Sequence, residues 1–310
     1  LFHLKLFPLT PSNKQTYMSA LLISEFRRRF AENGMTQDLI TDFRQDVMEF
    51  YETKGRHDME WRHTTDPYHI VVSEIMLQQT QVPRVARIYP AFIRKFPDFP
   101  SLAAAPQTEL LAAWQGMGYN RRALSLRKPA ETVIRHHGGI LPENPDLLKT
   151  LPGLGPATAS SIAAFAFNLP VVFIETNVRR VFIHSFFPDN AVVDDRDLYP
   201  LVEACLLPDN SREWYWALMD LGTALKTAIP NPNRRSRQYV RQSSFAGSDR
   251  QIRGALLKQL LVLGKADTRT LADLIGTDET RITEILQDMT NEGFFVREPD
   301  ASYTIQKREP

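Results

Sequence analysis

One cysteine in 310 residues, Cys205, excludes an intramolecular disulfide and any four-cysteine metal or iron–sulfur centre. Long apolar runs are missing too, none reaching the roughly 20 residues of a membrane span. Neither sign of charge dominates: 37 Lys and Arg stand against 36 Asp and Glu, a formal net charge of +1, so the overall balance announces no polyanion partner. The opening Leu1 to Phe7 is too short, and too broken by Pro8 and Pro11, for a secretion signal. The cytoplasm is the default compartment.

What is present fits a globular protein of two domains, with 43% apolar and 24% charged residues. Helical periodicity recurs over 38–51, 68–80, 85–95, 107–114, 120–137, 196–206 and 212–228, with no credible run of alternating strands, so this part reads as all-α. The opening Leu1 to Phe7 is expected to precede a start at Met18 or Met35, and the expected order is a non-native or flexible N-terminal extension over 1–34, a helical domain over 35–229, a basic linker over 230–250 and a small domain over 251–310. Within the last, helix, helix-turn-helix and a hairpin turning at Pro299-Asp300 give a winged-helix-like α+β order. Its helix over 278–291 carries Asp278, Glu279, Glu284 and Asp288 against Arg281 alone, which makes it a poor groove reader and suits a packing or protein-contact role.

The segment around which the chain is organised runs from Leu151 to Val181, LPGLGPATASSIAAFAFNLPVVFIETNVRRV. Short helices over 146–150 and 158–167 flank Gly153 and Gly155, whose missing Cβ atoms allow a tight turn and close approach to a partner. The N–H groups opening the second helix suit one phosphate, as in a helix-hairpin-helix clamp on nucleic acid. Glu175 stands just ahead of a helix over 177–186. On the helix over 68–80, Glu74, Gln78 and Gln81 form a polar stripe, either a solvated face or a pocket wall for a flat polar ligand. Tyr119, after Gly116-Met117-Gly118, either caps a core or presents an aromatic. Arg234, Arg235, Arg237, Arg241, Arg250 and Arg253 are concentrated in one stretch, a solvated loop or a track for phosphates.

Together Trp61-Arg62, Asp66-Pro67-Tyr68, the run Ser73 to Val82 (SEIMLQQTQV), Trp114 with Gly116 to Tyr119, Leu151 to Gly155 and Thr176 to Val181 resemble the MutY-type adenine DNA glycosylases of the helix-hairpin-helix superfamily. The resemblance covers about 38–228 and implies a monomeric, nucleoid-associated repair enzyme that flips adenine, opposite 8-oxoguanine or guanine, out of double-stranded DNA and hydrolyses its glycosidic bond. It assigns Glu74 as the acid that protonates the purine and then handles the water, with Glu175 as the carboxylate that stays charged beside the sugar cation. Arg62, Gln78 and Asn177 would line the base pocket, and Gln79 and Tyr119 would wedge into the stack. Gly153, Gly155, Arg179, Arg234, Arg235 and Arg237 would hold the DNA backbone, the hairpin with a monovalent cation and without any other metal or cofactor.

The chain departs from that pattern in four places. Glu175 replaces the family's aspartate, the four cluster cysteines have no counterpart, and the winged-helix-like domain stands where an 8-oxoguanine-reading domain is usual. Ala157 occupies the place of the Schiff-base lysine of bifunctional relatives, which implies a monofunctional hydrolase. Two alternatives follow from Glu175: a glycosylase for another damaged base, or a non-catalytic binder of lesions or abasic sites whose small domain recruits a protein partner.

Overall fold

The computed structural model describes residues 26–187, 190–241 and 244–307. They form two compact units, each built from separate stretches of chain: 26–58 with 163–240, and 59–162 with 241–307. No helix of the described residues is long and apolar enough to cross a membrane.

In the first unit, α1 (Gln37–Lys54) starts where the Thr36 side chain accepts from Leu39 N, and it buries Leu39, Phe43, Val47 and Tyr51. Residues 26–33, ahead of it, are also helical. Phe26 packs edge-on against Phe43 at 5.6 Å, so this part of the expected extension belongs to the core, whereas residues 1–25 lie outside the described residues.

The second unit opens with Trp61 edge-on to Tyr89 at 5.5 Å. Asp66 then caps α2 (Pro67–Leu77), accepting from Tyr68 N and His69 N, with Pro67 at the first turn where its missing N–H costs nothing. Nearly all of α2 is buried, which leaves Glu74 as a polar group between buried Ser73 and Ile75. The sequence implied a helix to Thr80; it stops at Leu77, because Gln79 takes φ +52°. Helices α3 (Val82–Lys95), α4 (Phe99–Ala104), α5 (Gln107–Ala113), α6 (Arg121–His137) and α7 (Pro145–Leu148) follow.

The chain passes from this unit back to the first along α8 (Pro156–Phe167), whose last carbonyls, Phe165 O and Ala166 O, accept from Arg212 at 2.5 and 3.0 Å. There α9 (Thr176–Phe186), α10 (Asp195–Ala204) and α11 (Ser211–Ala228) complete a core in which Phe43 meets Phe182 at 5.4 Å and Trp214 at 6.1 Å. The buried carboxylate of Asp220 is paired with Arg56 at 2.5 Å and with its main-chain N–H at 2.7 Å. Both groups are thereby satisfied away from water.

The stretch expected to be a basic linker is, over Asn231 to Arg237, built structure. Asn233 is buried and donates to Thr176 O at 2.8 Å, and Val193 pairs with Ser236 as a parallel bridge. The small C-terminal module comprises α12 (Asp249–Leu263), α13 (Thr268–Ile275) and α14 (Glu279–Asn291) with a sheet ordered β1-β3-β2, from β1 (Lys265–Ala266), β2 (Phe295–Arg297) and β3 (Tyr303–Ile305). Both pairings are antiparallel. The two residues of β1 are too few to show alternation, so sequence pattern misses that strand. Buried Gln107 of α5 donates to Gly293 O at 2.7 Å and accepts from Arg127 at 3.2 Å, which pins the module to the helices of its own unit.

Gly222 of α11 lets that helix lie against the start of α9: a Cβ there would fall 2.6 Å from Asn177 Cβ and 2.6 Å from Asn177 O. Main chain cannot yield as a side-chain tip can. Gly222→Ala is therefore expected to destabilise the protein by about 2 to 3 kcal/mol, read from urea midpoints at constant m-value.

Candidate active site

Glu74 projects from α2 and accepts a hydrogen bond from the hydroxyl of buried Ser161, Oγ to Oε2 at 2.5 Å. The same hydroxyl lies 3.0 Å from Thr158 O. Two protonation states are thereby served. With Glu74 ionised, Ser161 donates to it; with Glu74 protonated, the carboxylic acid can donate to Ser161 while Ser161 donates to the carbonyl. Neither state leaves an unpaired group, which suits a carboxyl that gives and takes back a proton. Gln78, one turn on, donates to Thr158 Oγ1 at 3.3 Å, and Arg62 lies half-buried at the end of the one-turn helix that holds Trp61.

The hairpin lies between α7 and α8. Gly153 has φ +87°, and a Cβ there would sit 3.2 Å from Ser125 O, so glycine is required by the turn itself. Gly155 has no such internal need. A Cβ at 155 would meet nothing within 4 Å, so what its absence gives is an open main-chain surface. The first main-chain bond of α8 runs from Ala159 N to Gly155 O at 2.9 Å, and the N–H groups of Ala157 and Thr158 lie ahead of that ladder.

In the other unit, Glu175 is the N-cap of α9: its Oε1 accepts from Asn177 N at 2.7 Å and Val178 N at 2.9 Å, and Oε2 accepts from Asn177 Nδ2 at 3.3 Å. Asn177 Oδ1 in turn accepts from buried Arg180 at 2.6 Å. Arg180 also donates to Gly222 O at 2.6 Å and Asn231 Oδ1 at 3.1 Å. Asn177 thus orients Glu175 within a network. The helix start favours a charged Glu175, as the sequence implied, and burial works against it. Burial pushes its carboxyl above the usual range, outweighing the opposing N–H groups of Val178 and Asn177 and the guanidinium groups of Arg180 and Arg179.

The arginines assigned to the DNA backbone divide. Arg179 turns inward to a bidentate pair with Asp195, both distances 2.7 Å, and Arg235 caps Phe187 O and Asn190 O. Arg237 is exposed and paired with Asp194 at 3.2 Å; Arg234 is exposed on the one-turn helix Pro232–Arg235.

Gln79 and Tyr119 are non-glycine residues with positive φ, +52° and +47°. Such backbone costs of order 1 kcal/mol or more each and persists only where surroundings hold it. Arg122 is what holds both. Its Nη1 donates to Ile75 O and Met76 O at 2.9 Å and to Gln78 O at 2.5 Å, while Nη2 donates to Thr80 Oγ1 at 2.8 Å and Gly118 O at 3.1 Å. One guanidinium thus caps the carbonyl end of α2 and ties it to the turn that carries Tyr119. Its pKa is lowered by burial to about 10, so it is charged at neutral pH.

The family described as HhH-GPD superfamily base excision DNA repair protein matches residues 72–197, a span that includes Glu74, the hairpin and Glu175. An adenine DNA glycosylase of Mycolicibacterium smegmatis is 33% identical over 279 residues, covering 84% of this chain and 94% of that one. The chain belongs to the adenine DNA glycosylase family. The Mycobacterium tuberculosis adenine DNA glycosylase is 31% identical over 288 residues, covering 84% and 92%. Among solved structures, a thermostable thymine-DNA glycosylase superimposes with a TM-score of 0.55 at 27% identity, over 63% of this chain and 91% of that chain.

Within this adenine DNA glycosylase family member, three residues that hold these groups escaped the sequence reading: Ser161 beside Glu74, Arg180 behind Asn177 and Arg122 at the end of α2. Ser161 is buried beside Ser160, three residues after Thr158, and Arg180 is a cation on the buried face of α9; a polar residue in an apolar setting is the available signal in both cases. Arg122 gives none, because its partners are carbonyls about 45 residues earlier.

Two measurements test this geometry. Arg122→Lys keeps the charge but cannot reach five acceptors, so it is expected to lose at least about 2 kcal/mol, measured by denaturant unfolding. For Glu175, folding raises the pKa above its ordinary value of about 4.5 through burial. A raised acid takes up its proton on folding, so its contribution is fully present below about 4.5 and declines as pH rises through the folded value. Glu175→Gln should therefore gain stability relative to the parent between pH 4.5 and 8, with urea midpoints at both ends as the check; a shrinking difference would reverse the sign.

Proposed function

We propose that this chain removes adenine opposite 8-oxoguanine or guanine in duplex DNA, acting as a monomer, by hydrolysis without a covalent sugar adduct. The observation that carries the reading is the Ser161–Glu74–Thr158 arrangement, a carboxyl able to exist in either protonation state, in a chain whose relatives over 84% of its length are adenine DNA glycosylases. In the proposed step, protonated Glu74 gives its proton to the purine ring. The bond from C1′ to N9 then breaks with its electron pair going to the base, and positive charge builds on the sugar. That charge favours the ionised form of Glu175, which compensates it. Water adds to C1′, its proton returns to the Glu74 carboxylate, and the products are free adenine and an abasic site. Arg62 and Gln78 are proposed to line the base pocket, with Asn177 aligning Glu175. The hairpin offers a cation only main-chain carbonyls at Leu, Pro and Gly, a donor class that suits a monovalent ion bridging to phosphate.

The experiment is single-turnover release from duplexes with adenine opposite 8-oxoguanine, guanine or thymine. Release in the first two, falling by about a thousandfold in Glu74→Gln, supports the proposal. Release of another base from a lesion panel instead would move the assignment toward the chemistry of the thymine-DNA glycosylase neighbour, and tight binding with no release from any duplex, cured by Glu175→Asp, would leave a lesion binder. Efficient borohydride trapping on DNA would overturn the monofunctional part, since Ala157 offers no amine.

A further inference from the structure

The small module reaches the turn that carries Tyr119. Arg250, in the first turn of α12, donates from Nη1 to Tyr119 Oη at 2.6 Å, and its guanidinium carbon lies 5.6 Å from the ring centroid. Arg122 approaches the same ring at 5.4 Å. Arg250 is itself fixed, because α12 buries Ile252, Leu256, Leu257 and Leu260, and Arg253, one turn on, pairs with Glu292 at 2.5 Å and lies over Phe294 at 5.9 Å. Around them is a cavity of about 1250 Å³ within this unit, lined among others by Gln79, Arg84, Arg121 and Lys258. Half of its lining residues are cationic or carry side-chain amides, groups that can meet phosphates, and the rest include the apolar Met117, Leu257 and Phe294.

We propose that Arg250 is a positioning residue for base extrusion: the small module holds the Tyr119 ring in its inserting pose, so that ordering the ring costs little when DNA arrives. This rests on Tyr119 being the wedge. The module then acts on duplex DNA through its first helix, and the acidic α14 stays out of the groove. The Arg250 bond joins a side chain of residue 250 to one at residue 119, and it is absent from any fragment that lacks the module.

The test uses the full chain with Arg250→Ala, Tyr119→Phe and the double variant. Tyr119→Phe removes a single oxygen and keeps the fold testable if Arg250→Ala unfolds. Extrusion is followed by stopped-flow fluorescence of 2-aminopurine beside the target adenine, base release by single turnover, and binding against salt concentration. Expected is a roughly tenfold slower extrusion in each single variant, no further loss in the double, and an unchanged salt slope for Tyr119→Phe. Additive losses, or Tyr119→Phe extruding like the parent, overturn the proposal. So does a parent that extrudes no base. A parent that extrudes but never releases adenine sinks the assigned reaction and leaves the coupling between Arg250 and Tyr119 to be judged by the fluorescence alone.

Discussion

The site in the Met59–Ile162 half of the second unit depends on one guanidinium. Arg122 meets four carbonyls and a hydroxyl, and those bonds cap the end of α2 and tie the left-handed turn at Gln79 to the one at Tyr119. A single rigid fork can satisfy acceptors from two turns at once, which a flexible ammonium cannot. Two strained, partly exposed residues are thereby presented at defined positions, and Glu74 on the same helix inherits that order.

The carboxyls of Glu74 and Glu175, one in each unit, are held on opposite principles. Glu74 is attached to a hydroxyl that can donate or accept, so its charge is left adjustable. Glu175 is locked at a helix start by two main-chain N–H groups and Asn177, with Arg180 behind, so its position is fixed while burial sets its proton affinity. The extra methylene of glutamate does not prevent capping. It reaches the second and third N–H groups of α9, a role for which the shorter aspartate and asparagine are the commoner choice.

Much of this was legible in the sequence. The run from Ser73 to Val82, the two glycines of the hairpin and the acid ahead of Thr176 locate Glu74, the turn and Glu175, because each depends on local pattern. The structure then separates Gly153, needed for its backbone angle, from Gly155, which meets nothing. Charge is the poorer guide to contacts: Arg179 pairs with Asp195 and Arg235 donates to main-chain carbonyls, partners that a count of charges does not show. A residue's net charge is visible in a sequence; the partner that cancels it, when distant along the chain, is not. For the same reason the contacts of Arg122 and of Arg250 with distant turns could not be inferred, nor could the docking of the small module by Gln107.

The discontinuous make-up of the first unit bears on how the protein is made. Leu39, Phe43 and Val47 of α1 leave the ribosome well before α9 and α11, which supply the surfaces that cover them. At synthesis rates of about 5 to 20 residues per second, an amphipathic helix with an uncovered apolar face must wait for on the order of ten seconds. During that interval the apolar face of α1 stays in water, and slower synthesis between α1 and α9 would lengthen its exposure without changing a single amino acid.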